Sequence, residues 1–237
     1  MKGRLYLVGS GLKADLITIR GLNILKEADV VLYDRLIDRK LLDNCNCEKI
    51  DVGKHPYSHN RRQSEINLLI EKYLLEDKKV VRLKGGDPSI FSRVSEEIDV
   101  AKKLGCPIEV IPGVTAASVA ASKILCSLTD RQYSSGTVFI TGHRCKENLE
   151  LLYNWKYLVE LKLTIVIYMG VKNMLLIIDK LIENGLPLDT PLLIAEKLET
   201  SDEKIILTDL ENSKNMFDDI GFPNITIIGN VLKRATK

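Results

Sequence analysis

The sequence predicts an α/β fold built on mainly parallel sheet. Short apolar segments rich in valine, isoleucine and leucine alternate with longer segments whose apolar residues recur at helical spacing. Glycine or proline turns follow several of the apolar segments, as is typical of strand-to-helix connections. With 237 residues, 45% of them hydrophobic and 28% charged, the chain is long enough to bury one large core or two smaller ones.

The first half is predicted to begin with a buried strand, Arg4–Val8, that runs into a glycine turn. Thr18 is expected to cap a helix that carries Leu22 and Leu25 on its apolar face. Helical spacing predicts two more helices, and short apolar runs predict four more strands. The predicted helices are Gln63–Leu75 and Ser92–Leu104, and Gly105 is expected to end the second of them. The predicted strands are Val30–Tyr33, Ile50–Val52, Lys79–Leu83 and Ile108–Ile111.

The turn Pro112-Gly113 marks a predicted domain junction, which gives an N-terminal domain over residues 1–114 and a C-terminal domain over 115–237. The second half repeats the alternation with helices at Ala116–Leu125 and Val171–Asn184. Its strands are predicted at Val138–Thr141, Thr164–Tyr168, Leu192–Ala195, Lys204–Leu207 and Ile225–Ile228. Because no long helix separates the last strands, part of the second sheet is expected to be antiparallel.

Composition excludes several classes of protein. A net charge of +2 provides no general basic surface for nucleic acid, and no apolar run reaches membrane-spanning length. The amino terminus runs straight into the first strand instead of a signal-peptide core, which predicts a cytoplasmic protein. Five scattered cysteines do not indicate a disulfide framework. Cys45 and Cys47 with His55 and His59 form only a weak metal motif, and no metal is predicted.

Three groups of polar residues follow predicted strands, where ligands bind in open α/β sheets. Gly9-Ser10-Gly11 is half of a dinucleotide fingerprint and is equally consistent with a tight turn. The run Val80–Pro88 places Arg82, Lys84, paired glycines and Asp87 together, which favours a binding site over an exposed turn. Asp34 and Arg35 fit either a general base with a carboxylate anchor or a surface ion pair.

An ordered set of motifs resembles the tetrapyrrole methylase family over about Leu5 to Leu232. The most specific stretches are Ala28–Leu36 and Val80–Arg93, and they are followed in the family's order by Ile111–Ala117, Leu128–Arg131, Thr141–His143 and Tyr168–Gly170. The resemblance implies two α/β domains, S-adenosylmethionine bound in the cleft between them, and a homodimer. The implied cofactor-binding positions are Leu12, Gly85, Gly86, Asp87, Ile90, Thr115, Ala116, Met169, Leu198 and Asn224.

The same resemblance implies Asp34 as proton acceptor and Lys54 as proton donor. It further implies C-methylation of uroporphyrinogen III at C2 and C7, giving precorrin-2 by way of precorrin-1, for sirohaem or cobalamin synthesis. Substrate carboxylates are expected to contact basic and polar side chains at strand ends, namely Arg35, Arg82, Lys84, Arg131 and His143. Methylation of a later precorrin is the nearest alternative, and a nucleotide-dependent oxidoreductase, based on Gly9-Ser10-Gly11 alone, is a distant one.

The chain departs from the family pattern at three places. Its first loop is one residue shorter than is common in the family, so that Leu12 occupies the usual proline position. The family's Phe-Gly-Arg is Phe91-Ser92-Arg93 here, and Leu198-Glu199-Thr200 replaces a frequent Gly-Thr pair. These differences all fall at the periphery of the expected cofactor site.

Overall fold

The computed structural model describes residues 2–53, 63–143 and 152–235, and confirms an α/β fold. Its contacts divide the chain into two compact units, Met1–Thr115 (unit 1) and Ala116–Lys237 (unit 2). Each unit contains one five-stranded sheet flanked by helices. The assignment of residues 1–114 and 115–237 to separate domains stays a prediction.

Unit 1 contains strands β1 to β5 and helices α1 to α3. The strands are Arg4–Gly9, Val30–Tyr33, Glu48–Asp51, Lys79–Lys84 and Ile108–Ile111, and the helices are Ile19–Lys26, Gln63–Leu75 and Val94–Lys103. The sheet has the order β3-β2-β4-β1-β5, and every neighbouring pair is parallel. The carboxyl ends of all five strands therefore meet at one edge.

Side chains alternate between the two faces of this sheet, as the pleat requires. One face carries Leu32 and Val80 and packs against α2 and α3, and the other carries Val31 and Val81 and packs against α1 and the short helical turn Arg39–Asn44. Both faces are covered at the centre of the sheet, so β1 and β2 are apolar at nearly every position.

Unit 2 contains strands β6 to β10 and helices α4 to α7. The strands are Thr137–Thr141, Thr164–Tyr168, Pro191–Glu196, Lys204–Asp209 and Asn224–Ile228, and the described helices are Ala116–Lys123, Trp155–Glu160, Met174–Glu183 and Leu210–Ser213. The sheet order is β6-β7-β10-β8-β9, with β6 parallel to β7 and the remaining pairs antiparallel. The expectation of partly antiparallel sheet is confirmed. The core of this unit lies mainly between the sheet and α6.

Local signals account for several helix ends. The Thr18 side chain accepts a hydrogen bond from the Gly21 amide at 3.0 Å, which confirms the predicted cap of α1. Gly105 and Gly185 adopt positive φ angles of 64° and 97° just beyond α3 and α6, as glycine does at helix ends. Helix α3 begins at Val94, two residues later than predicted, because Phe91 and Arg93 adopt positive φ before it.

Short 3₁₀ turns complete the connections, at Ala14–Leu16, Val171–Asn173, Lys214–Asp219 and Asn230–Arg234. The first turn of the helix predicted from Val171 is therefore tighter than an α-helix. None of the helices within the described ranges is long and apolar enough to cross a membrane.

Candidate functional site

The carboxyl edge of the unit 1 sheet collects the polar motifs of the first half. Gly9–Gly11 follow β1, Asp34 and Arg35 follow β2, Gly85–Asp87 follow β4, and Gly113–Thr115 lie just beyond β5. These segments are far apart in the sequence but exit neighbouring parallel strands. Parallel pairing alone therefore brings together residues that the sequence offered as separate candidates.

Glycines let three of these loops cross in direct contact. A Cβ on Gly9 would lie 2.7 Å from Gly113 Cα and 2.8 Å from the Gly86 carbonyl oxygen, too close for any side chain. Gly86 donates its amide hydrogen to the Gly11 carbonyl at 2.9 Å. The half-fingerprint Gly9-Ser10-Gly11 is therefore explained by packing of backbone on backbone.

The Asp87 carboxylate links these loops through hydrogen bonds. Its Oδ2 accepts the Gly113 amide hydrogen at 2.9 Å, and its Oδ1 accepts those of the Ser89 amide, at 2.7 Å, and the Ser89 hydroxyl. The carboxylate that was predicted to contact the cofactor thus holds the loops after β4 and β5 together. Direct contact of Asp87 with a cofactor stays a prediction.

Asp34 lies at the same edge beside a buried basic pair. The Arg82 Nη2 forms an ion pair with Asp34 Oδ1, and the Asp34 side chain is 32% exposed. Arg35 is exposed. Gly53 packs directly against it, and a Cβ on Gly53 would overlap the Arg35 backbone. Lys54, the predicted proton donor that follows Gly53, lies outside the described residues.

Arg82 and Lys84, the predicted substrate contacts near the end of β4, both have buried side chains. Each is 2% exposed, and both contact Glu97 on α3, which is completely buried. The reason is the two-residue period of a strand, which puts residues 82 and 84 on the face that carries Val80 and is covered by α2 and α3. In this arrangement their charged groups face Glu97 and Asp34 instead of solvent. Direct contact with substrate stays untested for both.

Sequence analysis missed Glu97 as a functional candidate. The segment Ser92–Leu104 was predicted only as a helix, from the helical spacing of apolar residues such as Val94, Ile98 and Ala101, which form its apolar stripe. Glu97 falls on that same stripe, and a carboxylate at a core position was the available signal.

In unit 2 the topology gathers four of the predicted cofactor positions at one sheet edge. Met169 follows β7, Leu198 follows β8, and Asn224 begins β10, which is antiparallel to both. The Ala117 amide donates to the Tyr168 hydroxyl at 3.3 Å, which places Ala116 and the start of α4 at this edge as well. His143, beyond the neighbouring strand β6, is exposed at the same edge.

Arg131 lies elsewhere. Its loop precedes β6, where Leu128 accepts a hydrogen bond from the Thr137 hydroxyl at 2.9 Å and Asp130 pairs with Ser134. This is the opposite edge of the unit 2 sheet from Met169 and His143. The structure therefore does not bring Arg131 together with the other predicted residues of this unit.

The segment that follows β8 contains two residues with positive φ and is connected to α4 by ion pairs. Lys197 and Glu199 adopt positive φ angles of 47° and 66°, a conformation that costs a non-glycine residue of the order of 1 kcal/mol. Lys123 on α4 binds Glu199 at 2.9 Å and Glu203 at 3.0 Å. These ion pairs connect the loop that contains Leu198-Glu199-Thr200 to α4.

One feature of the described residues fits a nucleoside-containing cofactor, and it lies in unit 2. In unit 1, Gly86 has a φ of 70°, and a Cβ there would be in ordinary van der Waals contact with Thr115 Cα and the Val114 carbonyl oxygen, both at 4.0 Å, so the backbone conformation and not crowding favours glycine. In unit 2 the buried Asn224 Oδ1 lacks a hydrogen-bond partner among the described residues, although its Nδ2 donates to the Gly221 carbonyl. A buried, unpartnered acceptor is rare and suits a ligand donor. Leu12, Gly85, Ile90 and Thr115 are each partly buried.

A metal at the cysteines is not supported. No cluster of three or more potential metal ligands occurs within residues 2–53, 63–143 and 152–235, and His55 and His59 lie outside those ranges. Burial, followed by a hydrogen bond with Cys45, raises the pKa of Cys47 to about 12. A thiol of this kind stays protonated at neutral pH and is therefore a poor nucleophile.

We expect Cys47 to react with iodoacetamide at pH 8 at least about tenfold more slowly than an unperturbed cysteine, because the thiolate is the nucleophile. Mass spectrometry of the peptide that contains Cys47, sampled over time, measures the rate, and the same peptide in urea is the control. Equal rates in the folded and unfolded protein would contradict the burial seen here.

Comparison with known proteins agrees with this geometry. A sequence model described as Tetrapyrrole (Corrin/Porphyrin) Methylases matches residues 4–213. A siroheme synthase from Pseudoalteromonas atlantica is 39% identical over 241 residues, which cover 100% of this chain and 52% of that protein. This chain thus spans about half the length of the curated relatives it matches.

Solved structures match over nearly the whole chain. Uroporphyrin-III C-methyl transferase from Thermus thermophilus, in complex with S-adenyl homocysteine, has a TM-score of 0.82 at 33% identity and covers 98% of this chain and 94% of its own. A cobalt precorrin-4 methyltransferase has a TM-score of 0.85 at 26% identity, covering 97% of this chain and 95% of its own. With the family's motifs placed at the two sheet edges described above, the chain belongs to the tetrapyrrole methylase family.

Proposed function

We propose that this chain catalyses C-methylation of uroporphyrinogen III at C2 and C7 with S-adenosylmethionine as methyl donor, giving precorrin-2 by way of precorrin-1. The observation that carries the proposal is the Asp34 carboxylate, one-third exposed and held by Arg82 at the carboxyl edge of the unit 1 sheet. The likeness to a uroporphyrin-III C-methyl transferase over 98% of the chain supports the choice of substrate.

Different residues of the chain are proposed to bind the cofactor and to accept the proton. Bound S-adenosylmethionine supplies an already activated methyl group, so the protein mainly has to align the partners. Gly85, Gly86, Thr115, Ala116, Met169, Leu198 and Asn224 are proposed to hold it, with Leu12 and Ile90 at the periphery and Asp87 fixing the loops. Asp34 is proposed to accept the proton that the tetrapyrrole carbon loses when the new carbon–carbon bond forms.

Substrate carboxylates are proposed to contact Arg35 and His143, both of which are exposed at carboxyl edges of their sheets. Lys54 is proposed as proton donor on the strength of the family resemblance alone. Arg131 is proposed as a substrate contact on the strength of the family resemblance alone, because its loop lies at the other edge of the unit 2 sheet. A homodimer, a cytoplasmic location and delivery of the product to sirohaem or cobalamin synthesis belong to the same proposal.

An anaerobic assay tests this function. Purified protein is incubated with enzymatically prepared uroporphyrinogen III and S-adenosylmethionine, and the tetrapyrrole is analysed by mass spectrometry. We expect a gain of two methyl groups. Calorimetry with S-adenosylhomocysteine is the companion measurement, because absence of any binding would contradict the methyltransferase assignment itself.

Methylation of a later precorrin is the second candidate. It is favoured by the likeness to a cobalt precorrin-4 methyltransferase, which is structurally as close although lower in sequence identity. S-adenosylhomocysteine binding without methylation of uroporphyrinogen III would select this alternative. Transfer to a later cobalt precorrin in a parallel assay would then identify the substrate class.

A further inference from the structure

Four charged side chains form a cluster in unit 1, and Gln63 Nε2 also donates to Glu97 Oε1 at 3.4 Å. Glu97 Oε1 accepts hydrogen bonds from Arg82 Nε at 2.9 Å and from Lys84 Nζ at 3.0 Å, and Glu97 Oε2 accepts from Lys84 Nζ at 2.8 Å. Arg82 Nη2 completes the cluster with Asp34. The two positive charges of Arg82 and Lys84 are thus balanced by the two negative charges of Glu97 and Asp34.

The Arg82 guanidinium is fixed on all sides. Besides Glu97 and Asp34, it donates through Nη1 to the carbonyl oxygens of Leu32 and Leu83, both at 3.2 Å. Those carbonyls belong to neighbouring strands of the sheet. A planar fork with this many bonds has no freedom to turn, so the position of Nη2 is set by the backbone and by Glu97.

Stability alone is a weak reason for such a cluster. Buried ion pairs are often replaced by apolar residues without loss of stability, because removing charges from water costs about as much as their attraction returns. Glu97, Arg82 and Lys84 have side-chain exposures of 0%, 3% and 2%, whereas Asp34 is 32% exposed. The only member of the cluster that reaches solvent is thus the carboxylate at the proposed site.

We propose that Glu97 is a positioning residue, which acts through Arg82 to hold the Asp34 carboxylate in the orientation that proton abstraction requires. The inference rests on the proposed function for the role of Asp34. Glu97 itself is completely buried, so it is proposed to act through the residues that it contacts.

The charge balance agrees with this role. Burial opposes the charged guanidinium, but the carboxylates of Asp34 and Glu97 outweigh it and the pKa of Arg82 is raised. Burial lowers the pKa of Lys84, the Arg82 cation lowers it further, and Glu97 opposes both. Glu97 is therefore the counterion that lets a buried cation remain beside Asp34.

The test uses Glu97→Gln, which keeps the shape and removes the charge, and Arg82→Lys, which keeps the charge and removes the planar fork. Glu96→Gln is the matched control, one position away in α3 on the exposed side, where Glu96 pairs with Arg93. For each full-length variant, kcat, KM, S-adenosylhomocysteine affinity and a crystal structure are determined.

We expect Glu97→Gln and Arg82→Lys to lower kcat about 10- to 100-fold, since small misplacements of a reacting group have effects of that size. KM and S-adenosylhomocysteine affinity are expected to stay within about threefold, because the cofactor positions are not in the cluster. The crystal structures are expected to show the Asp34 side chain displaced. Glu96→Gln is expected to match the wild type.

An unchanged kcat with Asp34 in its original position would overturn the inference, as would parallel losses of kcat, cofactor affinity and thermal stability, which indicate a purely structural role. If Glu97→Gln fails to fold, Arg82→Lys decides by the same criteria. If the wild type does not methylate uroporphyrinogen III, the proposed function fails by itself. The position of Asp34 in the variant structures then supports or overturns the positioning role.

Discussion

Replacing Asp34 with asparagine is expected to lower methylation turnover about 10³-fold, which corresponds to about 4 kcal/mol in the activation barrier. Asparagine has nearly the same size, so the loop after β2 is expected to keep its conformation. The hydrogen bond from the backbone amide of residue 34 to the Leu83 carbonyl is retained. The amide, however, does not accept a proton. The single-turnover rate with uroporphyrinogen III, measured anaerobically, gives the loss directly.

Asp99→Asn is the matched control for this experiment. It makes the same charge change in the same unit, but on the exposed side of α3, and is expected to leave turnover within about twofold. S-adenosylhomocysteine affinity is expected to be retained in both variants. If Asp34→Asn keeps more than about a tenth of wild-type turnover, the general base lies elsewhere.

The second large effect is on stability. Gly113→Ala is expected to destabilise unit 1 by about 3 kcal/mol or more, because overpacking of this kind leaves no room for relaxation. A Cβ at position 113 would overlap the Gly86 carbonyl oxygen and lie 2.8 Å from Gly9 Cα. All of these obstacles are backbone atoms, so a rotamer change cannot relieve them. Urea-induced unfolding followed by circular dichroism measures the change.

Gly105→Ala separates steric overlap from backbone strain. Gly105 has a φ of 64°, and a Cβ there would meet only the flexible end of Lys2, at 3.3 Å. The expected cost is about 1 kcal/mol, from the left-handed conformation alone. A Gly113→Ala variant no less stable than Gly105→Ala would mean that the three loops are not in contact as described.

The alternation of strands and helices was predictable because it depends on local periodicity. The short apolar runs from Arg4, Val30, Lys79, Thr164 and Ile225 all form strands, within one residue of their predicted ends. Thr18 begins a helix through the hydrogen bond that its hydroxyl accepts, and Gly105 ends one because glycine, which has no side chain, readily adopts a positive φ. Helix Trp155–Glu160 was not predicted, since six residues give too little pattern.

The candidate site was only partly predictable. Asp34, Gly85 and Gly86 were identified because a polar residue or a pair of glycines directly after an apolar run is visible in the sequence itself. Glu97 was not identified, because its role depends on where α3 packs. Arg82 and Lys84 were predicted to contact substrate carboxylates because they are basic residues near a strand end, and the sequence did not show that the structure gives each a buried counterion.

By itself, therefore, the sequence determined the class of fold, the order of its elements and the loops that carry polar groups, since these depend on the periodicity and chemistry of neighbouring residues. Only the tertiary structure decided the partners of those groups. Parallel pairing set Asp34 beside Arg82, and the packing of α3 set Glu97 beneath them. These contacts join residues 48 and 15 positions apart in the chain, and no local pattern encodes such distances.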